Sequence, residues 1–310
     1  MPQNTFGLPE GIDDSTHEKT SGQLPVVGKE VDTLLSSEEE RVRSEKIQKL
    51  LDSWLWPAKK EINTTHGDAQ LENLWYPRFY VGKNADLYII PGRDPLEILM
   101  VRTDRTSVFN IPLDLEIEGK WAIQNQISIQ WANFAERHGV KTAMRKLPDD
   151  IPADLRDRSQ AIELCKQLEI EIDGKTEWME MIYRNYLTGS LYKKYKEWED
   201  PYEINLRKGY EEWADIRDDQ GRAIFTPTDK TKDDNPIPTH IVENAYPEII
   251  NDLRNLFQHY TDFAYQRGYV LVDTKFEVFI NSKWEWVLGD EILTPESSRF
   301  IRREHFDVWE

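Results

Sequence analysis

The sequence reads VDTKFEV over residues 272–278 and, after a Trp-rich turn, LGDEILTPESSR over residues 288–299. In a β-strand, side chains two positions apart lie on the same face of the sheet. The first stretch therefore predicts a strand with one apolar face and one charged face. The charged face carries Asp273, Lys275 and Glu277.

Two interpretations of this charged face are open from the spacing alone. Alternating charge is common on the solvated face of an antiparallel sheet. However, the second stretch delivers Asp290 and Glu291 at the end of its own strand. A carboxylate pair suits a hard cation such as Mg²⁺, which completes its octahedron with substrate phosphates. The spacing favours a charged surface and a phosphate-and-metal site equally.

The composition limits the classes of partner. The chain has 310 residues and a formal net charge of −18, whereas binding to nucleic acid or to an anionic membrane needs a basic surface. We therefore expect neither partner. Cys165 is the only cysteine, which excludes an intrachain disulfide and is typical of a reducing compartment. Because the sequence has no apolar run of about 20 residues and no secretory signal, we expect a cytoplasmic location.

The hydrophobic pattern separates an N-terminal arm from a folded region, whose length permits one large domain or two lobes. Residues 1–70 contain an acidic arm and then a helix near residues 38–56 with an apolar stripe. Residues 71–183 read as short strands at 78–81, 86–90 and 96–101, a helix at 122–138, and a hairpin with its turn at 173–174. Residues 184–310 combine an amphipathic helix at 246–267 with the two closing strands. Strands without regular βαβ alternation predict an α+β fold.

Four shorter segments carry groups that suit phosphate, although each has an ordinary alternative. Arg184 ends a predicted strand, and a helix N-terminus capped by Ser190 would follow it and form an anion site. Taken alone, an ordinary capped turn is the better interpretation of that segment. The other three alone indicate an exposed hairpin lysine, a turn and a loop, at residues 82–83, 103–107 and 225–230.

Together and in this order, the segments resemble the SAICAR synthetase (phosphoribosylaminoimidazole-succinocarboxamide synthase) family. The resemblance extends from about residue 76 to residue 301. Relative to the family, we expect an N-terminal extension and a short C-terminus. The motifs are GK at 82–83, TDRTS at 103–107, NQIS at 125–128, YLTGS at 186–190, FTPT at 225–228, DTKFE at 273–277 and SSRF at 297–300.

This resemblance implies a kinase-like, two-lobed α+β fold. An ATP-binding cleft would lie between an N-terminal lobe with an antiparallel sheet, at residues 71–183, and a mixed C-terminal lobe at residues 184–310. It implies a ligase of purine biosynthesis that depends on ATP and Mg²⁺. Such an enzyme joins L-aspartate to the carboxylate of carboxyaminoimidazole ribonucleotide (CAIR), by way of an acyl phosphate, and yields SAICAR, ADP and phosphate. The implied partners are small molecules, and a homo-oligomer remains open.

The resemblance also assigns roles to residues of this sequence. Lys275 would face the reacting carboxylate and phosphoryl group, with Asp273 beside it as the second catalytic residue. The other assignments are Lys83, Glu180 and Asp290 for the nucleotide, Glu277 and Asp290 for Mg²⁺, and Arg184, Ser190, Arg299, Asp104, Ser107 and Lys230 for the substrates.

Departures from the family pattern keep two alternatives open. Ala85 stands where the family usually has a second basic residue, Asn110 replaces a carboxylate, and the loop after Lys230 lacks the usual His-Asp-Glu. The changes at Asn110 and in that loop allow a divergent ligase with another amine or acid. Ala85 allows a non-catalytic paralogue that binds nucleotide, although the retained Lys275 and Asp290 argue against it.

Overall fold

A computed structural model of the protein describes residues 68–74, 76, 78–82, 84–94, 96–108, 111–231 and 233–306, with the backbone alone at 72, 107, 108, 111 and 112. The predicted helix near residues 38–56 lies outside these ranges, as does the arm before it. Lys83, Asn110 and the side chain of Ser107 also lie outside the described residues.

The strand predicted around Lys275 is the twelve-residue β13 (Tyr269–Ile280), which lies in an eight-stranded sheet. It pairs antiparallel with β10 (Lys175–Arg184), β14 (Trp286–Gly289) and β15 (Ser298–Arg302). Both faces of β13 are buried along most of its length, and Asp273 and Glu277 are only 4% and 6% exposed. The interpretation of this face as a solvated surface is therefore wrong.

Four short strands complete this sheet. The hairpin predicted around residues 173–174 is confirmed, because β9 (Glu169–Ile172) pairs with β10. The others are β8 (Lys166–Gln167) beside β13, and β11 (Ile224–Phe225) and β12 (Thr228–Asp229) beside β10. Because Thr228 pairs with Glu180, Lys230 follows β12 two residues beyond that pair.

A second, five-stranded sheet is formed by the earlier part of the chain, and its pairings are all antiparallel. Its strands, in spatial order, are β1 (Arg78–Val81), β2 (Ala85–Ile89), β3 (Glu97–Arg102), β7 (Ser159–Glu163) and β6 (Met144–Arg145). The strands predicted at the start of this region are confirmed. A separate hairpin joins β4 (Arg105–Val108) to β5 (Ile111–Glu116).

Apolar side chains cover both faces of the five-stranded sheet. Leu99 and Val101 pack on one face with Tyr88, whereas Ile98 and Met100 pack on the other face. Arg102 ends β3 and shares its alternation with Ile98 and Met100. The charged side chain of Arg102 therefore lies on an apolar face of the sheet.

The helices flank the two sheets. The described residues contain α1 (Ala69–Asn73), α2 (Lys120–Arg137), α3 (Ala153–Arg156), α4 (Gly189–Lys196), α5 (Thr239–Ala245), α6 (Pro247–Gln266) and α7 (Arg303–Phe306). Antiparallel sheets with segregated helices confirm the predicted α+β class. The predicted lobe boundary at residue 183 falls inside β10 and stays a prediction.

The main apolar core lies between α6 and the eight-stranded sheet. Leu253 and Phe257 of α6 are fully buried, as the 3.6-residue period of its apolar positions predicts. The ring centroids of Phe257 and of Tyr183 on β10 lie 5.9 Å apart. This helix thus anchors the face of the sheet that is opposite to the charged groups of β13.

Phe257→Ala should lower the free energy of unfolding by about 3–5 kcal/mol, because it leaves a cavity in this core. Chemical denaturation of both proteins measures the difference. Tyr265→Ala on the same helix is the control, since that side chain is 53% exposed and its loss should change stability by no more than about 0.5 kcal/mol. Equal losses from the two variants would contradict this packing.

Candidate active site

Two lysines and two carboxylates meet on the face of the eight-stranded sheet that is opposite to α6. Lys275 Nζ donates to Glu180 Oε1 at 2.8 Å and lies 4.0 Å from Glu277 Oε1. Lys230 Nζ binds the other carboxylate oxygen of Glu277, Oε2. Gln167 Nε2 donates to that same oxygen at 3.2 Å. The structure thus brings four predicted site residues and Gln167 into one network.

The charges in this network are set by a balance of burial and attraction. Burial disfavours the charged form of Lys275, but the carboxylates of Glu180 and Glu277 outweigh it and raise the pKa of the lysine. Burial raises the pKa of Glu180 despite the attraction of Lys275. For Glu277, burial is outweighed by Lys230 and Lys275, which lower its pKa. Lys275 and Glu277 are therefore both ionised at neutral pH.

Asp290 stands at the edge of this network, where β14 ends. Its residue is exposed, yet the surrounding protein still desolvates its carboxyl group, and this burial raises its pKa to about 7, with Glu277 as the next cause. Asp290 lies within side-chain hydrogen-bonding reach of Glu277. Two carboxylates at such close range repel each other unless a proton or a cation lies between them.

The backbone at Gly289 and Asp290 is constrained, at Gly289 by its close contact with Phe279. A Cβ atom at Gly289 would lie 2.6 Å from the Phe279 ring, so no larger residue fits there without displacement of the ring. Asp290 itself has a φ of 56°, in the left-handed region that L-residues rarely adopt. The geometry that presents Asp290 is therefore strained and depends on its neighbours.

Glu291 does not lie beside Asp290 as a second free carboxylate. Its Oε1 is 2.6 Å from Arg102 Nη1, and its Oε2 accepts a hydrogen bond of 2.7 Å from Thr294 Oγ1. Both oxygens are engaged because Glu291 lies against the end of β3. The carboxylates left to face Lys275 are those of Glu180, Glu277 and Asp290.

A pair of arginines converges on Asp273 two residues before Lys275. Arg184 Nη1 donates to Asp273 Oδ2 at 3.0 Å, and Arg299 Nε donates to Oδ1 at 2.8 Å. Arg299 Nη2 makes a further contact with Oδ2, and Arg184 Nε donates to Thr226 Oγ1 at 2.9 Å. These contacts suit a carboxylate that positions the two arginines. The catalytic role expected of Asp273 stays a prediction.

The N-terminus of α4 faces this arginine pair. A Cβ atom at Gly189 would lie 2.7 Å from Arg299 Nη1, so the glycine lets the guanidinium approach the helix. Thr188, not Ser190, precedes the helix, which corrects the expected cap. Ser190 lies one residue inside the helix, and its residue is exposed. A helix N-terminus beside a guanidinium is a favourable site for an anion.

For three further predicted site residues, Asp104, Lys83 and Ser107, the described part of the structure gives no contact with the network around Lys275. Asp104 Oδ1 accepts a 3.2 Å hydrogen bond from the backbone N–H of Trp121, so this carboxylate lies at the start of α2. Its role as a substrate ligand stays a prediction. The same holds for Lys83 and for the Ser107 side chain, which lie outside the described residues.

The chemistry of the network suits Mg²⁺. In the part of the chain that the structure describes, no three His, Cys, Asp or Glu side chains form a complete metal site. Mg²⁺ needs no such site, since it commonly takes one or two carboxylates together with waters and substrate phosphates. Glu277 and Asp290 supply that number, and their mutual repulsion would be relieved by a cation.

The sequence patterns did not indicate two side chains of this site, Gln167 and Arg102. Gln167 ends the two-residue strand β8, and nothing in its local sequence pattern marks it as a site residue. Arg102 ends the apolar run ILMVR at 98–102, and a charge at the end of a buried strand was a signal that could have found it. Its partner Glu291 is 189 positions away, so no local pattern indicates the pair.

Comparison with known proteins places this geometry in a family. The family model for SAICAR synthetase matches residues 78–308. The chain belongs to the SAICAR synthetase family. It is 30% identical to the phosphoribosylaminoimidazole-succinocarboxamide synthase of Pichia angusta over 239 residues, which cover 73% of this chain and 77% of that protein. With the enzyme of the same name from Haemophilus influenzae (strain PittGG), it shares 34% identity over 249 residues, which cover 74% and 79%.

Solved structures agree. The SAICAR synthase of Saccharomyces cerevisiae in complex with SAICAR superposes with a TM-score of 0.62 at 26% identity, covering 79% of this chain and 80% of that one. A SAICAR synthetase in complex with ADP shares the fold, with a TM-score of 0.54 at 21% identity. The predicted family, fold and ATP-dependent ligase class are thus confirmed. Within the described ranges, no helix is both long and apolar enough to cross a membrane.

Asp290→Asn should raise the melting temperature of the metal-free protein at pH 8 and leave it nearly unchanged at pH 4. The folded-state pKa of Asp290 is raised from 3.8 to about 7, so the folded protein binds this proton more tightly than the unfolded chain. Stability linked to Asp290 is then fully present below the lower value and is lost as the pH rises towards the higher one.

Thermal unfolding followed by circular dichroism across this pH range measures the difference. Asp252→Asn, at an exposed position of α6, is the control for the removal of one negative charge. If Asp290→Asn showed no gain over this control at pH 8, or the same gain at pH 4, the assigned environment of Asp290 would be wrong.

Proposed function

We propose that the protein joins L-aspartate to the carboxylate of CAIR, with conversion of ATP to ADP and phosphate, and so forms SAICAR for purine biosynthesis. The observation that carries this proposal is the single sheet face that holds both a lysine–carboxylate network and an arginine pair. Lys275 lies two residues from Asp273 on β13, so the two sites adjoin. The names of the relatives support the same reaction.

The arginine pair suits the 5′-phosphate of the ribonucleotide. Arg184 and Arg299 present guanidinium groups that bind phosphate oxygens in pairs, and Gly189 and Ser190 add the N–H groups of a helix N-terminus. Arg184 is nearly fully buried, whereas the Arg299 side chain is 42% exposed. Arg299 is therefore the guanidinium that an incoming phosphate would meet first.

The lysine–carboxylate network suits ATP and Mg²⁺. Glu277 and Asp290 would hold the metal, and Lys83, Glu180 and Asp290 would contact the nucleotide. The metal supplies charge neutralisation to phosphate oxygens when it is bound. Lys275 and Lys230 lie beside those carboxylates and would hold the negatively charged reactants together. Asp104, at the start of α2, and Ser107 would complete the substrate site.

The reaction that fits these groups has two balanced steps. The CAIR carboxylate attacks the γ-phosphorus of ATP, which forms an acyl phosphate and releases ADP. The amine of aspartate then attacks the acyl carbon, loses a proton and displaces inorganic phosphate, which leaves an amide. Such transfers depend mainly on positioning and charge neutralisation. We infer that the charged Lys275 would stabilise the phosphoryl group in both steps.

The setting of this reaction is also a proposal. An acidic chain with a formal net charge of −18 suits an enzyme of small molecules that binds neither nucleic acid nor an anionic membrane. We place the enzyme in the cytoplasm, with an N-terminal lobe for the nucleotide and a C-terminal lobe for the metal and the ribonucleotide.

An ADP-release assay tests the proposal. The purified protein should release ADP at an appreciable rate only when ATP, Mg²⁺, CAIR and L-aspartate are all present, and the product should have the mass of SAICAR. Lys275→Ala should keep the fold and lower kcat by at least about 100-fold, since it removes a preorganised charge from the reacting groups. Turnover with another amino acid in place of aspartate, at an equal rate, would contradict the assigned co-substrate.

Gly189→Ala should weaken CAIR binding by about 10- to 100-fold, the cost of one charge-assisted hydrogen bond. The added methyl group would lie 2.7 Å from Arg299 Nη1 and displace the guanidinium. Isothermal titration calorimetry with CAIR measures the change. Gly221→Ala is the matched control, because Gly221 also has a positive φ but nothing within 4 Å of its added Cβ. Equal weakening of CAIR binding in the two variants would contradict the binding of its 5′-phosphate by Arg299.

A further inference from the structure

Arg102 is a buried charge with few partners. Its side chain is 1% exposed at the end of β3, on the face that also carries Ile98 and Met100. Among the described residues, its Nε and Nη2 atoms have no hydrogen-bond acceptor. A guanidinium buried in this way is an inefficient source of stability, since desolvation is only partly offset by one ion pair. Its position therefore calls for another explanation.

The partner of Arg102 is held at both carboxylate oxygens. Arg102 Nη1 lies 2.6 Å from Glu291 Oε1, and Thr294 Oγ1 donates to Oε2 at 2.7 Å. Thr294 is itself fully buried. A carboxylate fixed at both oxygens by buried donors cannot rotate freely. The backbone of Glu291 is thus fixed relative to β3.

Asp290 lies between two fixed neighbours. On one side, Gly289 pairs with Glu277 in the β13–β14 ladder. On the other side, Glu291 is tied to β3 through Arg102. The left-handed φ of 56° at Asp290 is unfavourable for an L-residue and persists only when its surroundings enforce it. The tie to Arg102 supplies that enforcement from the C-terminal side.

We propose that Arg102 is a positioning residue for the metal site, and that it holds Asp290 in place through Glu291 and Thr294. The inference rests on the proposed function, because it takes Glu277 and Asp290 as the Mg²⁺ ligands. Arg102 touches neither of them. It acts from the five-stranded sheet and sets the distance between that sheet and the carboxylate at the end of β14.

Direct metal binding tests this role. The probe is Mn²⁺ as a substitute for Mg²⁺, titrated into the protein with ADP and followed by electron paramagnetic resonance of free Mn²⁺. Arg102→Met should weaken Mn²⁺ binding by about 10- to 100-fold, as expected when a group that orients a metal ligand is lost. Arg102→Lys keeps the charge but not the planar fork and should lie between this variant and the wild type. CAIR affinity should be unchanged in both.

Two further variants separate positioning from folding. In the double variant Arg102→Met with Glu291→Met, an apolar pair replaces the ion pair, so the fold should survive while Mn²⁺ binding stays weak. Thr294→Val loosens Glu291 without uncovering a buried charge and should also weaken Mn²⁺ binding. Arg254→Met is the control, because Arg254 pairs with Glu243 on the helices α6 and α5, and its loss should leave Mn²⁺ binding unchanged.

The outcomes are distinct. Wild-type Mn²⁺ affinity in both the double variant and Thr294→Val would overturn the positioning role of Arg102. A parallel loss of CAIR and Mn²⁺ binding in folded Arg102→Met would also overturn it, since that pattern indicates a general disturbance of the site. If the wild-type protein bound neither Mn²⁺ with ADP nor CAIR, the proposed function itself would fail.

Discussion

The antiparallel register of β13 is the constraint on which the rest of the site depends. Its pairing places Asp273 opposite both Arg184 and Arg299, and Glu277 opposite Gly289. Because side chains alternate between faces, a shift of one residue would turn every charged group of β13 into the apolar core. The burial of Phe276 and Val278 under α6 penalises such a shift. The core thereby fixes the alignment of the reacting groups.

The same register concentrates charge where water is scarce. Lys275, Lys230, Glu180 and Glu277 are ionisable groups held within one network, and each lysine has a carboxylate partner. Charges in such a place are tolerated because their partners replace the lost hydration. The carboxyl of Asp290 has no lysine within ion-pairing distance among the described residues, and burial followed by the charge of Glu277 raises its pKa. The positive and negative charges of the network are thus paired, except at Asp290, where we expect a cation.

Much of this arrangement could be predicted from the sequence. The alternation around Lys275 predicted β13, and the turn at residues 173–174 predicted the β9–β10 hairpin, because both signals are local. Whether the charged face of β13 was solvated could not be decided, since burial depends on what packs against the strand. The Arg102–Glu291 pair joins residues 189 positions apart, one at the end of β3 and the other in the loop after β14. Its existence follows from how the two sheets meet, which no periodicity encodes.

The arginine pair on Asp273 has a consequence for how an anion would be received. Two guanidinium groups repel each other, and flexible arginines would have to be brought together when the ligand arrives. Here the carboxylate of Asp273 already holds both, and the helix that begins at Gly189 approaches one of them closely. The receptor is therefore preorganised, so little conformational entropy remains to be lost on binding. The repulsion between the two cations has been overcome during folding, before any phosphate enters.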